Sequence, residues 1–238
     1  MNINVFLMCY NESVLLPHTI KHYKKYMPSC HITVYDNEST DNSAELAKSL
    51  GCTVVEFKTN NRSENKYRQE LKNKCWKTVE SGWIIVADMD EFLYVTEEQL
   101  KEEHEKGTTI LKVQGLEMIG ESNTLDLTDI DLQSIRKYFL NKWESKNLCF
   151  LKDSIQDINY SCGAHKCKPV GKVQYSSVTY LNKHMNMLGL PFFTQKILQR
   201  YERSMSDRKF GMSIHYIDNV QEIEKRYADA LKSSSLID

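Results

Sequence analysis

Several things are scarce in this chain of 238 residues, and each scarcity excludes something. Nothing approaches the roughly 20 consecutive apolar residues of a membrane-spanning helix, so no span is expected. Neither charge is in excess: 31 Lys+Arg against 32 Asp+Glu leave a net charge of −1, which argues against a dedicated nucleic-acid binder. Glycine is sparse, 9 residues, and the loop after the first apolar run, Cys9 to Ser13, contains none, which rules out a glycine-rich phosphate cradle there. Internal repeats and low-complexity linkers are missing too. The first ten residues carry no basic stretch and meet Asn11 and Glu12 before any small-residue cleavage site, so a buried strand is expected, not a leader. Seven cysteines, an odd number without framework spacing, suit free thiols in a reducing compartment, and a cytoplasmic location is expected.

What the chain has is enough apolar content for a core, 41% before glycine, and a clear alternation. An apolar run at residues 3–9 precedes Leu16, Ile20, Tyr23 and Met27, spaced by four, three and four, with Pro17 where a first helical turn tolerates it. A strand at 32–35, a helix through Ala44, Ala47 and Leu50 stopping at Gly51, and a strand at 53–57 follow. Tyr67, Leu71, Cys75 and Val79 predict a third helix ending near Gly82, and residues 83–87 a fourth strand. Strands alternating with helices over about 90 residues imply an α/β fold with a mostly parallel sheet, whose ligands sit at the strand C-terminal ends.

Beyond Asp90 a charged helix (96–106), a strand (109–113), a helix (129–140) and strands near 148–151 and 173–180 are expected, adding antiparallel strands to the sheet. Two helical patterns, 194–205 and 220–231, carry Lys196, Arg200, Arg203, Arg208 and Lys209. The division expected is a domain over 1–190, with a nucleotide half to about residue 92 and an acceptor half over 93–190, and a helical extension over 191–238 packed on it. The basic tail residues read first as a solvated helix face, then as a lid, then as an RNA contact.

The sharpest chemical feature is Asp88, Met89, Asp90 and Glu91 directly after the fourth apolar run. Residues two apart on an extended chain project to one side, so Asp88 and Asp90 can converge on a hard divalent ion completed by water and phosphate oxygens; a solvated acidic turn is the bland alternative. Asp36 ends the second strand, where a carboxylate accepts hydrogen bonds from a ribose or base, whereas Asp41 and Ser43 read as helix caps. Cys162, His165 and Cys167 are too few for a structural zinc unless Cys75 or Cys149 joins from a distance.

The ordered set of Met8 to Glu12, Val34 to Ser43, Lys72-Asn73 and Trp83 to Phe92 resembles family 2 glycosyltransferases of the GT-A fold. The resemblance continues through Gly115 to Met118, Tyr160 to Pro169 and Leu181 to His184, as in a subgroup whose acidic motif is extended to Asp-x-Asp-Glu-Phe. It implies a metal-dependent, inverting transfer of a sugar from a nucleotide-sugar donor, a UDP-sugar favoured, to a hydroxyl of a glycan or glycoconjugate. Carried over by position, Asn11, Glu12, Asp36, Lys72, Asn73 and Asp88 would bind the nucleotide sugar, and Asp88, Asp90 and His184 would hold Mn2+ or Mg2+. Lysine at 72, where arginine is usual, supplies a point charge without a bidentate fork. His165 and Asp157 are the candidate general bases, with Glu117 next, and His165 reads equally as a structural hydrogen-bonder. A sugar nucleotidyltransferase is the neighbouring alternative, opposed by the glycine-free first loop, and a non-catalytic nucleotide-sugar-binding module is the other.

Overall fold

The first ninety residues fold as their alternation requires. In the computed structural model, which describes residues 1–237, they form β1 (Ile3–Cys9), α1 (Leu16–Tyr26), β2 (His31–Asp36), α2 (Ser43–Ser49), β3 (Thr53–Glu56), α3 (Asn65–Lys74) and β4 (Trp83–Asp88). Strands β3, β2, β1 and β4 are parallel neighbours in that order, with Cys9 level with Asp36 and Met8 level with Asp88. Leu16, Ile20, Tyr23 and Met27 bury the inner stripe of α1 against one sheet face, and Trp76, Phe150 and Tyr160 cover the other. Each fully buried aliphatic or aromatic side chain of this kind contributes about 1.5–3 kcal/mol.

The third helix ends earlier than its spacing predicts. It stops at Lys74, and a tight 3-10 turn over Cys75–Thr78 follows. Trp76 lies in that turn, fully buried, with its ring edge-on to Phe150 at 5.0 Å.

The rest of the chain adds β5 (Glu91–Tyr94), α4 (Glu97–Glu105), β6 (Ile110–Ile119), β7 (Lys137–Leu140), β8 (Cys149–Leu151), β9 (Ile155–Asp157), β10 (Val170–Gly171), β11 (Tyr175–Met187), α5 (Leu190–Arg203), α6 (Met205–Lys209), α7 (Val220–Ser233) and β12 (Ser235–Leu236). Thr96 and Gln99 close a reciprocal capping box on α4. Strand β8 lies antiparallel to β4, and β6, β7 and β12 continue the sheet outward. Strand β11 pairs parallel with β6 and antiparallel with β5, so the second half is mixed, not simply antiparallel.

The helix expected at 129–140 does not form. Asp131 caps a single turn at Leu132–Ser134, and residues 137–140 join β6 as β7, with Tyr138 opposite Met118. Leu132, Ile135 and Tyr138 had the spacing of a helix face; the open edge of β6 and the apolar cluster around Leu116 and Met118 claim them as strand and loop instead. The tail helices pack together through Phe193, Ile197, Ile223 and Tyr227. Among the described residues no helix is long and apolar enough to cross a membrane.

Candidate active site

Strands β1, β2 and β4 end together, and their ends form one wall of a cleft of 940 Å³. Asp88 is the last residue of β4; Met89 turns inward and is buried, and Asp90 starts the approach to β5. Pairing of β11 with β5 and β6 sets His184 level with Glu91 and Glu117, beside Asp90.

The two acidic-motif carboxylates face the cleft but take different partners. Asp88 receives Lys72 Nζ at 2.8 Å and Arg68 at 3.2 Å, with Lys146 at 3.9 Å. Asp90 Oδ2 receives Arg200 at 2.7 Å, Lys196 Nζ at 2.9 Å and His184 Nε2 at 3.5 Å. Burial opposes both charges, yet Lys72 and Arg68 hold Asp88, and Lys196, His184 and Arg200 hold Asp90, well below the usual carboxylate range. Lys196 also meets Glu12 Oε1 at 2.9 Å; burial raises the Glu12 carboxyl, and Lys196 only partly offsets it.

Beneath them lies a second charged layer. Lys146 is buried between Glu91 at 2.7 Å and Glu144 at 2.8 Å. Burial opposes the Glu144 charge, but His184 and Lys146 bring its pKa to about 2; burial raises Glu91 to about 7. His184 Nδ1 is 2.8 Å from Glu117, which also accepts from Asn141 Nδ2 at 2.9 Å. Burial disfavours the imidazolium, and Glu117, Glu144 and Asp90 outweigh it, holding the ring well above its ordinary pKa.

Asp90 and His184 are placed to act as a ligand pair once His184 gives up its Nε2 proton, since its other ring nitrogen is anchored by a carboxylate as in metal-ligating histidines. Mg2+ and Mn2+ accept so few protein donors because they keep waters and phosphate oxygens. Asp88 is paired with Lys72 and Arg68 as Asp90 is with Lys196 and Arg200, and among the described residues no three His, Cys, Asp or Glu side chains are grouped so as to hold a metal ion.

His165 also lines the cleft, with Nδ1 2.8 Å from the Trp143 carbonyl. A carbonyl only accepts, which assigns the proton to Nδ1 and leaves the lone pair on Nε2. Burial and then Lys146 lower the His165 pKa, favouring the neutral ring. Gly163 is required beneath it: its φ is +70°, and a Cβ there would come within 2.4 Å of Nε2. Trp143, 65% exposed, stands edge-on to the ring at the cleft lip.

Other expected residues lie elsewhere. Asp157 is half-exposed on β9, ion-paired with Lys77 and outside the cleft lining. Asn11 braces the loop after β2 by accepting from the Thr40 N–H at 2.7 Å, and Asn73 pins Tyr160 by accepting from its N–H at 2.7 Å; neither side chain lines the cleft. Asp36 is buried with Oδ2 accepting from Ser39 N–H and Oδ1 unpartnered, while its neighbour Asn37 reaches the cleft. The tail is not a solvated face at Lys196 or Arg200, because both are drawn onto Asp90. Arg203 stacks 3.2 Å over the Tyr10 ring and donates to Asn37 Oδ1 at 2.7 Å. Spacings of four and three put residues 196, 200 and 203 on one helix face; Arg68, Lys146 and Glu144 had no comparable signal.

The model of the family described as glycosyl transferase family 2 matches residues 4–170. The chain belongs to glycosyl transferase family 2. Its parallel core with helices on both faces is the GT-A arrangement the family resemblance implies, and the match ends before β11 and α5, which bring His184, Lys196 and Arg200 to this family 2 site. Protein RfbJ of Shigella flexneri is 42% identical over 53 residues, 22% of this chain and 41% of that protein, so the chain matches under half the relative's length. Among solved structures, S. aureus TarS is 13% identical with a TM-score of 0.47, covering 97% of this chain and 49% of that one. TarS 1–349 in complex with UDP gives 14%, 0.48, 97% and 79%. Glucosyl-3-phosphoglycerate synthase from Mycobacterium tuberculosis, with Mn2+, UDP and glucosyl-3-phosphoglycerate, gives 16%, 0.33, 48% and 44%.

Proposed function

We propose that the protein transfers a sugar from a nucleotide-sugar donor, a UDP-sugar favoured, to a hydroxyl of a glycan or glycoconjugate, with inversion at the anomeric carbon. The observation that carries this reading is one cleft that gathers cations at the strand ends and an imidazole with its Nδ1 turned to a backbone carbonyl. The nucleoside lies against Asn37 and the Tyr10–Arg203 stack, with Asp36 beneath, and Arg68 meets its phosphates while Lys72, buried outside the cleft lining, holds Asp88 from behind. Asp90 and His184 would hold a divalent ion, which would supply charge neutralisation for the departing diphosphate. His165 Nε2 removes the acceptor proton as the hydroxyl oxygen bonds to the anomeric carbon and the bond to the diphosphate oxygen breaks. That displacement, through an oxocarbenium-like transition state, needs no covalent enzyme intermediate. Trp143 offers an apolar face to the acceptor at the lip.

The test is a thermal-shift panel of UDP-, GDP-, dTDP- and CMP-sugars with and without Mn2+, followed by turnover of whichever donor stabilises. A ligand at 100 times its dissociation constant adds roughly 2.7 kcal/mol, so one nucleotide should stand apart. Donor binding without transfer or hydrolysis, across an acceptor panel, would make the protein a binding module instead.

A further inference from the structure

Asp90 Oδ2, the oxygen a divalent ion would ligate, is already taken. Arg200 lies at 2.7 Å and Lys196 Nζ at 2.9 Å, both from α5, and Arg200 is fixed on its other side by Asn186 Oδ1 at 3.0 Å. The Asp90 and Lys196 side chains are 2% and 7% exposed, so solvent screens this contact little. A divalent ion arriving at Asp90 therefore meets two like charges within about 3 Å of its own ligand. Arg200 lines the cleft and Lys196 is buried against the cleft-lining Asp90 and Glu12; both have flexible stems, and a nucleoside diphosphate in the cleft presents phosphate oxygens that offer them an alternative partner.

We propose that Lys196 and Arg200 act as a built-in counter-ion of Asp90 in the free protein, and that a divalent ion takes Asp90 only once a nucleoside diphosphate has drawn these two side chains onto its phosphates. The inference rests on the donor reading above for its second half, and on the ion pairs alone for its first. It makes metal and nucleotide binding strongly cooperative: the diphosphate opens the metal ligand, and the metal then helps to hold the diphosphate.

The experiment measures Mn2+ binding by loss of the free-ion electron paramagnetic resonance signal, with and without saturating UDP. It uses the wild-type chain, Lys196→Gln and Arg200→Gln, since glutamine stays polar and removes the charge. Wild-type protein should bind Mn2+ at least 10-fold more tightly with UDP than without. Each glutamine variant should bind Mn2+ without UDP at least 10-fold more tightly than wild type, with Mn2+ raising its melting temperature more than that of wild type. Arg200→Lys, which keeps the charge, should behave as wild type, and its circular dichroism and melt show that the site still folds. Tight Mn2+ binding by wild type without UDP, or glutamine variants that bind no tighter than wild type, overturns the proposal. Failure of UDP to bind with or without Mn2+ overturns the donor reading and the nucleotide-gated half, while the variants' Mn2+ affinity alone still decides the counter-ion.

Discussion

The two walls of the cleft are held by different forces. On the strand-end wall, Glu12, Asp88 and Asp90 are fixed by cations that come from α3, α5 and the loop before β8. On the other, His165 and Trp143 are fixed by turn geometry: a carbonyl orients the imidazole, Asn141 Oδ1 accepts from the Trp143 N–H, and a left-handed glycine leaves room for the ring. Side-chain ion pairs in a buried layer make the first wall sensitive to any change of charge. Turn geometry makes the second wall sensitive to bulk and to loss of the functional group, with little at stake for the fold. Glu117 links them, accepting from His184 on one side and Asn141 on the other.

The largest effect should come from breaking the first wall. Asp90→Asn leaves Lys196 and Arg200 without their carboxylate, and loss of one partner from a buried charge cluster costs about 3–5 kcal/mol, read by urea unfolding. Donor turnover should fall about 10²–10³-fold, the usual worth of one preorganised electrostatic group. A variant of wild-type stability and turnover would dissolve the contrast between the walls.

Next in size is His165→Ala, which should lower acceptor transfer at least about 100-fold while donor affinity holds and the unfolding midpoint barely moves. Asp157→Asn, outside the cleft, should transfer at the wild-type rate. The pH dependence follows from the same ring. Its pKa lies below 6.5 because burial and Lys146 disfavour the charged form, and it accepts a proton only when neutral. The kcat/KM of wild type should therefore stay level above pH 6.5, fall only below it, and lose that limb in His165→Ala. A limb centred above 6.5 would assign the base elsewhere.

Trp143→Ala should raise the acceptor KM about tenfold and leave donor binding unchanged, with stability within about 0.5 kcal/mol, as for other exposed positions. Equal weakening of donor and acceptor would place the indole on both sides of the reaction.

Smallest is Asp36→Ala. Loss of the hydrogen bond to the Ser39 N–H should cost about 1 kcal/mol of stability, because Asp36 braces its own loop from beneath the cleft. Nucleotide affinity should fall with it; if stability falls alone, the residue is a turn support and Asn37 reads the base without it.

Local order determined much of this protein. The period of the apolar residues set β1 to β4 and α1 to α2, because side-chain direction repeats every 2 or 3.6 residues whatever surrounds it. The position of Asp36, Asp88 and Asp90 at strand ends followed from those same runs, and His184 and His165 were legible through their motifs. What only the tertiary structure decided was partnership. Arg200 meets Asp90 across 110 residues and Lys196 across 106, and the choice between strand and helix at 137–140 was made by the open edge of β6. Asp88 and Asp90, alike in sequence, differ because one is reached by Lys72 and Arg68 and the other by α5. Charge pairing acts through space with the inverse of distance and depends on what is desolvated, and neither quantity exists until the chain has folded.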